Sequence, residues 1–198
     1  MCSSDLTSLN SRRISRVRIT AVDADASALR LAGRIAEYVQ GNDGIRLDWH
    51  PIIHDLTQPL SPEKTGPWDW CVSQAVVNEL PMQEANAGKS GDEKRAAWIT
   101  QFAKHGLTII LEPALRVTTQ ALHRARDGML RDEKIRVLAP CPHQLACPML
   151  KQGERDWCHE VRLLAPTPGV ARINDITHRR DERTKYSFVA LEIGRAHV

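Results

Sequence analysis

"LTIILEPALRVTTQALHRARDGML", Leu107 to Leu130, is the stretch whose reading decides the fold class. Its first residues are almost all apolar, too apolar for a strand with one wet face, which predicts a strand buried inside a covered sheet. Glu112-Pro113 ends it. Behind the proline, Leu115, Leu122 and Met129 repeat at seven, with Thr118 and Ala125 filling the stripe, so the second half reads as an amphipathic helix. A buried strand running into such a helix is half of a βαβ unit.

The same alternation extends both ways. Toward the N-terminus, "VRITAVDAD" from Val17 reads as a strand ending in acids, and "ASALRLAGRIAEYVQ" as a helix with Leu29, Ala32 or Gly33, Ala36 and Val39 on one side. "GNDG" stops that helix, "IRLDWHPII" is a second strand, and the Pro-rich "HDLTQPLSPEKTGPWD" leads to "WCVSQAVVNEL" as a third, Trp70 to Leu80. A small-residue loop and the helix "DEKRAAWITQFAKHG", closed by Gly106, complete the first half. Toward the C-terminus come the strand "KIRVLAP", a cysteine segment, "EVRLLAP", a short helix near Val170 to Thr177 and a last strand, "YSFVAL". Strands separated by helices predict one α/β domain, a parallel sheet with helices on both faces and an irregular insertion over residues 139–165.

Length and composition set bounds. The 198 residues are 42% hydrophobic and 26% charged, the balance of a globular protein that needs no disulfide staples. No apolar run approaches the roughly 20 residues that span a bilayer, so no membrane partner is expected. A net charge of +3 points weakly toward a polyanionic partner. The two ends are set aside. One short DNA string, read on its two strands, encodes both EIGRAHV at the C-terminus and the first six residues, as a sequencing adapter would. Residues 1–6 and 192–198 are therefore expected to be scars, and 7–191 a partial domain cut at both ends.

Chemistry is expected first at the strand ends. In open α/β sheets ligands bind outside the carboxyl ends of the strands, where an acid accepts hydrogen bonds from ribose hydroxyls. Asp23, with Asp25 beside it, stands at such an end; helix capping by Asp25 or Ser27 is the plainer alternative. His54-Asp55, Asn78-Glu79 and Glu112-Pro113 follow the next three strands and would face the same crevice, although each singly reads as loop chemistry or a cap. Asn78 and Glu79 are candidates for orienting a substrate.

Cys141, Cys147 and Cys158 lie among Pro, His, Gln, Arg and Asp, not in an apolar strand as Cys71 does. Such clustering suggests a soft metal: zinc, with His143 or His159 available as a nitrogen ligand, or an iron–sulfur cluster. Three unlinked loop cysteines are the alternative. Arg116, His123, Arg124, Arg126 and Arg131 are expected on the surface of the long helix, and "HRRDERTK" from His178 forms a second basic run. A solvated face or phosphate contact would account for either.

"VVNELP", "LTIILEPALRVTTQALHRARDGML", "VLAPCPHQLACPML", "DWCHE" and "RRDERTKYSFVAL" occur in the order found in methyltransferase-like proteins of the small ribosomal subunit in mitochondria and bacteria, and the chain resembles that family over most of residues 17–191. The resemblance implies a Rossmann-like class I S-adenosylmethionine-dependent methyltransferase sheet, association with small-subunit ribosomal RNA during assembly, and a four-cysteine [4Fe–4S] site. It places Cys141, Cys147 and Cys158 as three of the four metal ligands, the fourth lying beyond the last strand. Asp23 takes the cofactor-ribose position and Asp55 the position beside the adenine; the glycine loop that would precede Asp23 is missing. Two functions fit: methyl transfer to ribosomal RNA, or a catalytically inactive iron–sulfur or zinc RNA-binding assembly factor. Bacterial cytoplasm is the expected location, with mitochondria as the alternative.

Overall fold

The computed structural model describes residues 14–43, 45–61, 68–80, 91–103, 106–152, 156–163, 165–178 and 183–193. Most of both expected scars, the loop at 81–90 and the middle of the "HRRDERTK" run lie outside them. The chain forms two compact units, residues 1–60 and 61–198.

The first unit is a βαβ unit. Strand β1 (Arg16–Asp23) and strand β2 (Arg46–Ile53) pair in parallel, from Arg16 opposite Arg46 to Asp23 opposite Ile53, and helix α1 (Ala26–Asp43) joins them. Asp25 starts the helix by accepting the Ser27 N–H at 2.6 Å on Oδ1, the expected alternative to a ligand role for that acid. Leu29 and Ala36 are buried, whereas Val39 is 41% exposed, so the predicted stripe holds for its first two turns. Gly33 is where helix and strand approach closely: a Cβ there would stand 3.0 Å from Trp49 Nε1.

The second unit holds strand β3 (Trp70–Gln74), helix α2 (Gly91–Ala103), strand β4 (Leu107–Pro113), helix α3 (Arg116–Met129), strands β5 (Ile135–Ala139) and β6 (Glu160–Leu163), helix α4 (Pro168–Thr177) and strand β7 (Arg183–Ile193). Its sheet runs β3-β4-β7-β5, with β6 also paired to β7. Strands β3 and β4 are parallel, but β7 is antiparallel to β4, β5 and β6. The expected parallel sheet is thus a mixed one: the α3 crossover steps over a gap that β7 later fills from the opposite direction. The predicted irregular insertion also contains a strand, β6, and a 3₁₀ turn at Pro148–Leu150.

The helices of this unit depart from expectation in a second way. Ala96 and Ile99 of α2 share one core with Leu122, Ala125 and Met129 of α3 and with Ile110, Ile135, Val137, Val189 and Leu191 of the sheet. Both helices therefore cover the same face. Crossovers of one hand that step in one direction along a sheet must lay their helices on one side. On the other face, Trp70 and Val72 of β3 are exposed.

The third strand is shorter than its apolar run suggests. It stops at Gln74, Ala75 takes a left-handed φ of 54°, and the chain turns through residues 76–80. The cause is polar: the buried Glu112 carboxylate accepts the Val77 N–H at 2.9 Å and draws the chain over the strand ends. Gly106 serves close approach at the start of β4, since a Cβ there would sit 2.6 Å from the Trp68 carbonyl oxygen and nearer still to that of Asp69.

Candidate functional site

Asp23 and Asp55 stand at and just beyond the carboxyl ends of neighbouring parallel strands, joined by a His54 N–H to Asp23 carbonyl hydrogen bond of 3.0 Å. Both side chains are exposed. One oxygen of Asp23 accepts the Asp25 N–H at 2.8 Å. Asp55 accepts the Thr57 N–H at 2.9 Å, and that bond, with the Thr57 hydroxyl, holds its pKa below the usual carboxylate value. Each acid is oriented by a local turn, exposed and placed to accept further donors.

At the strand ends of the second unit the polar residues are more enclosed. Glu112 is 3% exposed; one of its oxygens takes the Val77 amide, and the other has no partner among the described residues. Burial raises its pKa, and Glu79's charge adds to that, against the Val77 and Asn78 amides and Arg95. Asn78 follows the turn with its side-chain oxygen buried and unpartnered among the described residues, while Glu79 is exposed. Neither Asn78 nor Glu79 directly ends a strand, because β3 closes four residues earlier than Asn78.

The cysteine segment is bound to α3 by contacts that the sequence reading did not anticipate. Arg126, expected on the surface, is 2% exposed. Its Nη1 donates to the Leu145 carbonyl at 2.8 Å and to Asp127 Oδ1 at 2.7 Å, and its Nη2 donates to the His143 carbonyl at 2.8 Å. Asp127 receives the Cys147 N–H on both oxygens, at 2.8 and 3.0 Å. Gln144 pins the same turn to β5: its oxygen accepts the Val137 N–H at 3.0 Å and its amide donates to the Val137 carbonyl at 2.9 Å. On the far side of the segment, Trp157 Nε1 donates to the Ala114 carbonyl at 3.0 Å, tying the residue before Cys158 to the end of β4. The signal for Arg126 was the helical period, since it lies four residues after Leu122 and three before Met129, inside the apolar stripe.

Cys147 is buried, and Cys141 and Cys158 are half-buried. Burial raises the Cys158 thiol above its usual value, and the charges of Cys141 and Cys147 raise it further, which puts the three thiols in one electrostatic neighbourhood. Among the described residues no three His, Cys, Asp or Glu side chains close into an arrangement that could hold a metal ion. Thiol donors suit a soft metal, which would draw Cys141, Cys147 and Cys158 together and cross-link this segment. Of the candidate nitrogens, His143 Nδ1 accepts the Leu145 N–H at 3.2 Å, and His159 stacks on Trp157 at 5.6 Å between centroids. Cys71, in β3, is a strand cysteine whose thiol burial pushes up to about 11.

The basic residues of α3 divide. His123 is buried like Arg126, and burial, then the Arg126 charge, hold its pKa below the ordinary value. Arg124 of α3 pairs with Asp92 of α2 at 2.8 Å, and Arg131, just past the end of α3, with Glu93 of α2 at 3.8 Å. The helix therefore does not present the continuous basic face expected of it.

The fold and site define a mixed α/β protein with a cysteine-bearing segment locked onto a core helix. Residues 87–197, more than half of the chain, match the family described as Mitochondrial small ribosomal subunit Rsm22, and the chain belongs to that family. The matched residues contain all three clustered cysteines with Arg126 and Asp127; Asp23, Asp55, Asn78 and Glu79 lie outside them. The mitochondrial description overturns the expected bacterial cytoplasmic location. No curated protein matches the chain. No described helix is long and apolar enough to cross a membrane.

Proposed function

We propose that this member of a small-ribosomal-subunit family is a methyltransferase-like factor that binds, or methylates, small-subunit ribosomal RNA during assembly of the mitochondrial subunit. In this reading Asp23 and Asp55 hold S-adenosylmethionine at the ends of β1 and β2, as acids at strand ends hold nucleotides. Cys141, Cys147 and Cys158 hold a [4Fe–4S] cluster, or zinc, whose contribution is to fix the 139–165 segment. The observation that carries the reading is that Cys141, Cys147 and Cys158 all lie within residues 87–197, which match the family, on a segment hydrogen-bonded to α3. Each parallel unit taken by itself, β1-α1-β2 and β3-α2-β4, has the βαβ form from which Rossmann-like sheets are built, and one antiparallel strand, as β7 is in the second unit, is common in such sheets.

A second reading, an RNA-binding factor without turnover, is favoured by Glu112. That acid is buried and spends one oxygen on the Val77 amide, so it supports the turn carrying Asn78 and Glu79 instead of facing a substrate. The two readings separate in one experiment on the full chain. Labelled methyl transfer to small-subunit RNA and co-sedimentation with the small subunit are measured for Asp23→Ala and Cys147→Ser. Loss of transfer in Asp23→Ala supports methylation. Retained association in Asp23→Ala, with loss in Cys147→Ser, supports the binding factor. If the unaltered chain neither methylates nor co-sediments, both readings fall.

A further inference from the structure

We propose that Arg126 and Asp127 are the positioning residues of the cysteine site: a clamp on α3 that fixes the backbone of the Cys141–Cys147 turn, so that a metal has only to draw the thiols together. The inference rests on the metal reading above and deepens it.

A guanidinium that is 2% exposed is costly to bury unless its donors are met and its charge is balanced. Arg126 spends its two terminal nitrogens on the carbonyls of His143 and Leu145, both of which lie between Cys141 and Cys147. The planar fork of arginine suits two acceptors spaced along one turn; a lysine has no such fork. Asp127 completes the clamp by taking the amide of Cys147, the one buried cysteine of the three, on both carboxylate oxygens. The pair thus holds the backbone of the ligand loop, which groups outside a metal's own ligand set characteristically do.

The anchor beneath the clamp is rigid. Leu122, Ala125 and Met129, on the turns that flank Arg126, belong to the main core of the unit. A loop held in shape by a packed helix loses less freedom when a metal binds, and the saving appears as affinity.

The test uses the reduced full chain, titrated anaerobically with cobalt(II) and then competed with zinc(II). Thiolate-to-cobalt absorption reports how many cysteines bind. Arg126→Lys, which keeps the charge and loses the fork, and Asp127→Asn, which keeps the shape and loses one acceptor, are each expected to weaken metal binding about 10- to 100-fold. Arg124→Ala, on the exposed side of the same helix, is expected to bind as the unaltered chain does. A second measurement needs no metal: the Cys147 amide should exchange slowly in the metal-free chain and quickly in Asp127→Ala, which leaves it no side-chain acceptor. Unaltered affinity and spectrum in both clamp variants overturn the proposal, as does unchanged exchange at Cys147. If the unaltered chain and Cys147→Ser bind cobalt alike, the metal reading itself has failed. Loss of exchange protection without any cobalt site would separate the two, leaving the clamp as a fold element and ending its metal role.

Discussion

Glu112 is both a structural support and a titrating group, because its carboxyl is buried. Its position at a strand end was legible from "LTIILEP"; its burial was not, since burial depends on Val77 turning back over β4. Burial raises the carboxyl pKa in the folded chain, whereas the unfolded chain keeps the ordinary value of 4.5. A raised carboxyl favours the protonated form in the fold, so its contribution is intact below pH 4.5 and is lost as pH climbs from there through the folded-state value. Glutamine cannot ionise, yet its carbonyl can still accept the Val77 N–H. Glu112→Gln is therefore expected to show a Tm, relative to the unaltered chain, that is more favourable at pH 7 than at pH 4. Melting curves at the two pH values check this, and an equal difference at both would show that Glu112 titrates normally.

At the scale of the element, α3 shows what periodicity can and cannot read. The seven-residue repeat identified the helix and two of its core residues, Leu122 and Met129, which are 1% and 2% exposed. It also chose Leu115, which is 63% exposed because it precedes the first helical turn and never joins the packed stripe. The charged residues misled for a related reason. Composition places arginine and histidine outside, but Arg126 and His123 fall on the buried side of the same spiral, and the Asp127 carboxylate together with the carbonyls of His143 and Leu145 makes Arg126 tolerable there. Leu122→Ala should cost about 2–5 kcal/mol, the usual range for a leucine emptied from a closed core. Leu115→Ala should cost little. Denaturant titration of the two variants tests the assignment, and comparable losses would mean that the helix packs through its N-terminus after all.

On the scale of the whole molecule, strand content was legible and strand order was not. Each strand could be read from its own residues, but the antiparallel placement of β7 between β4 and β5 depends on a pairing 50 or more residues apart, from Val137 to Leu191, which no local pattern encodes. The cysteines were legible by residue type and spacing. Their hold on α3 was not, since it consists of backbone carbonyls and an amide meeting a helix from elsewhere in the chain. This arrangement predicts where a metal would act. Metal binding and local folding are coupled, so the effect should follow the physical connections of the segment: to α3 through Arg126 and Asp127, to β5 through Gln144, and to the end of β4 through Trp157. All of these belong to the second compact unit, residues 61–198. Hydrogen exchange compared between metal-loaded and metal-free chain should therefore slow at residues 141–147, at Cys158 and at the amides around Ala114, and leave β1, α1 and β2 unchanged. Protection gained mainly in α1, with the 141–147 turn unaffected, would mean that metal binds elsewhere and that these thiols are ordinary loop cysteines.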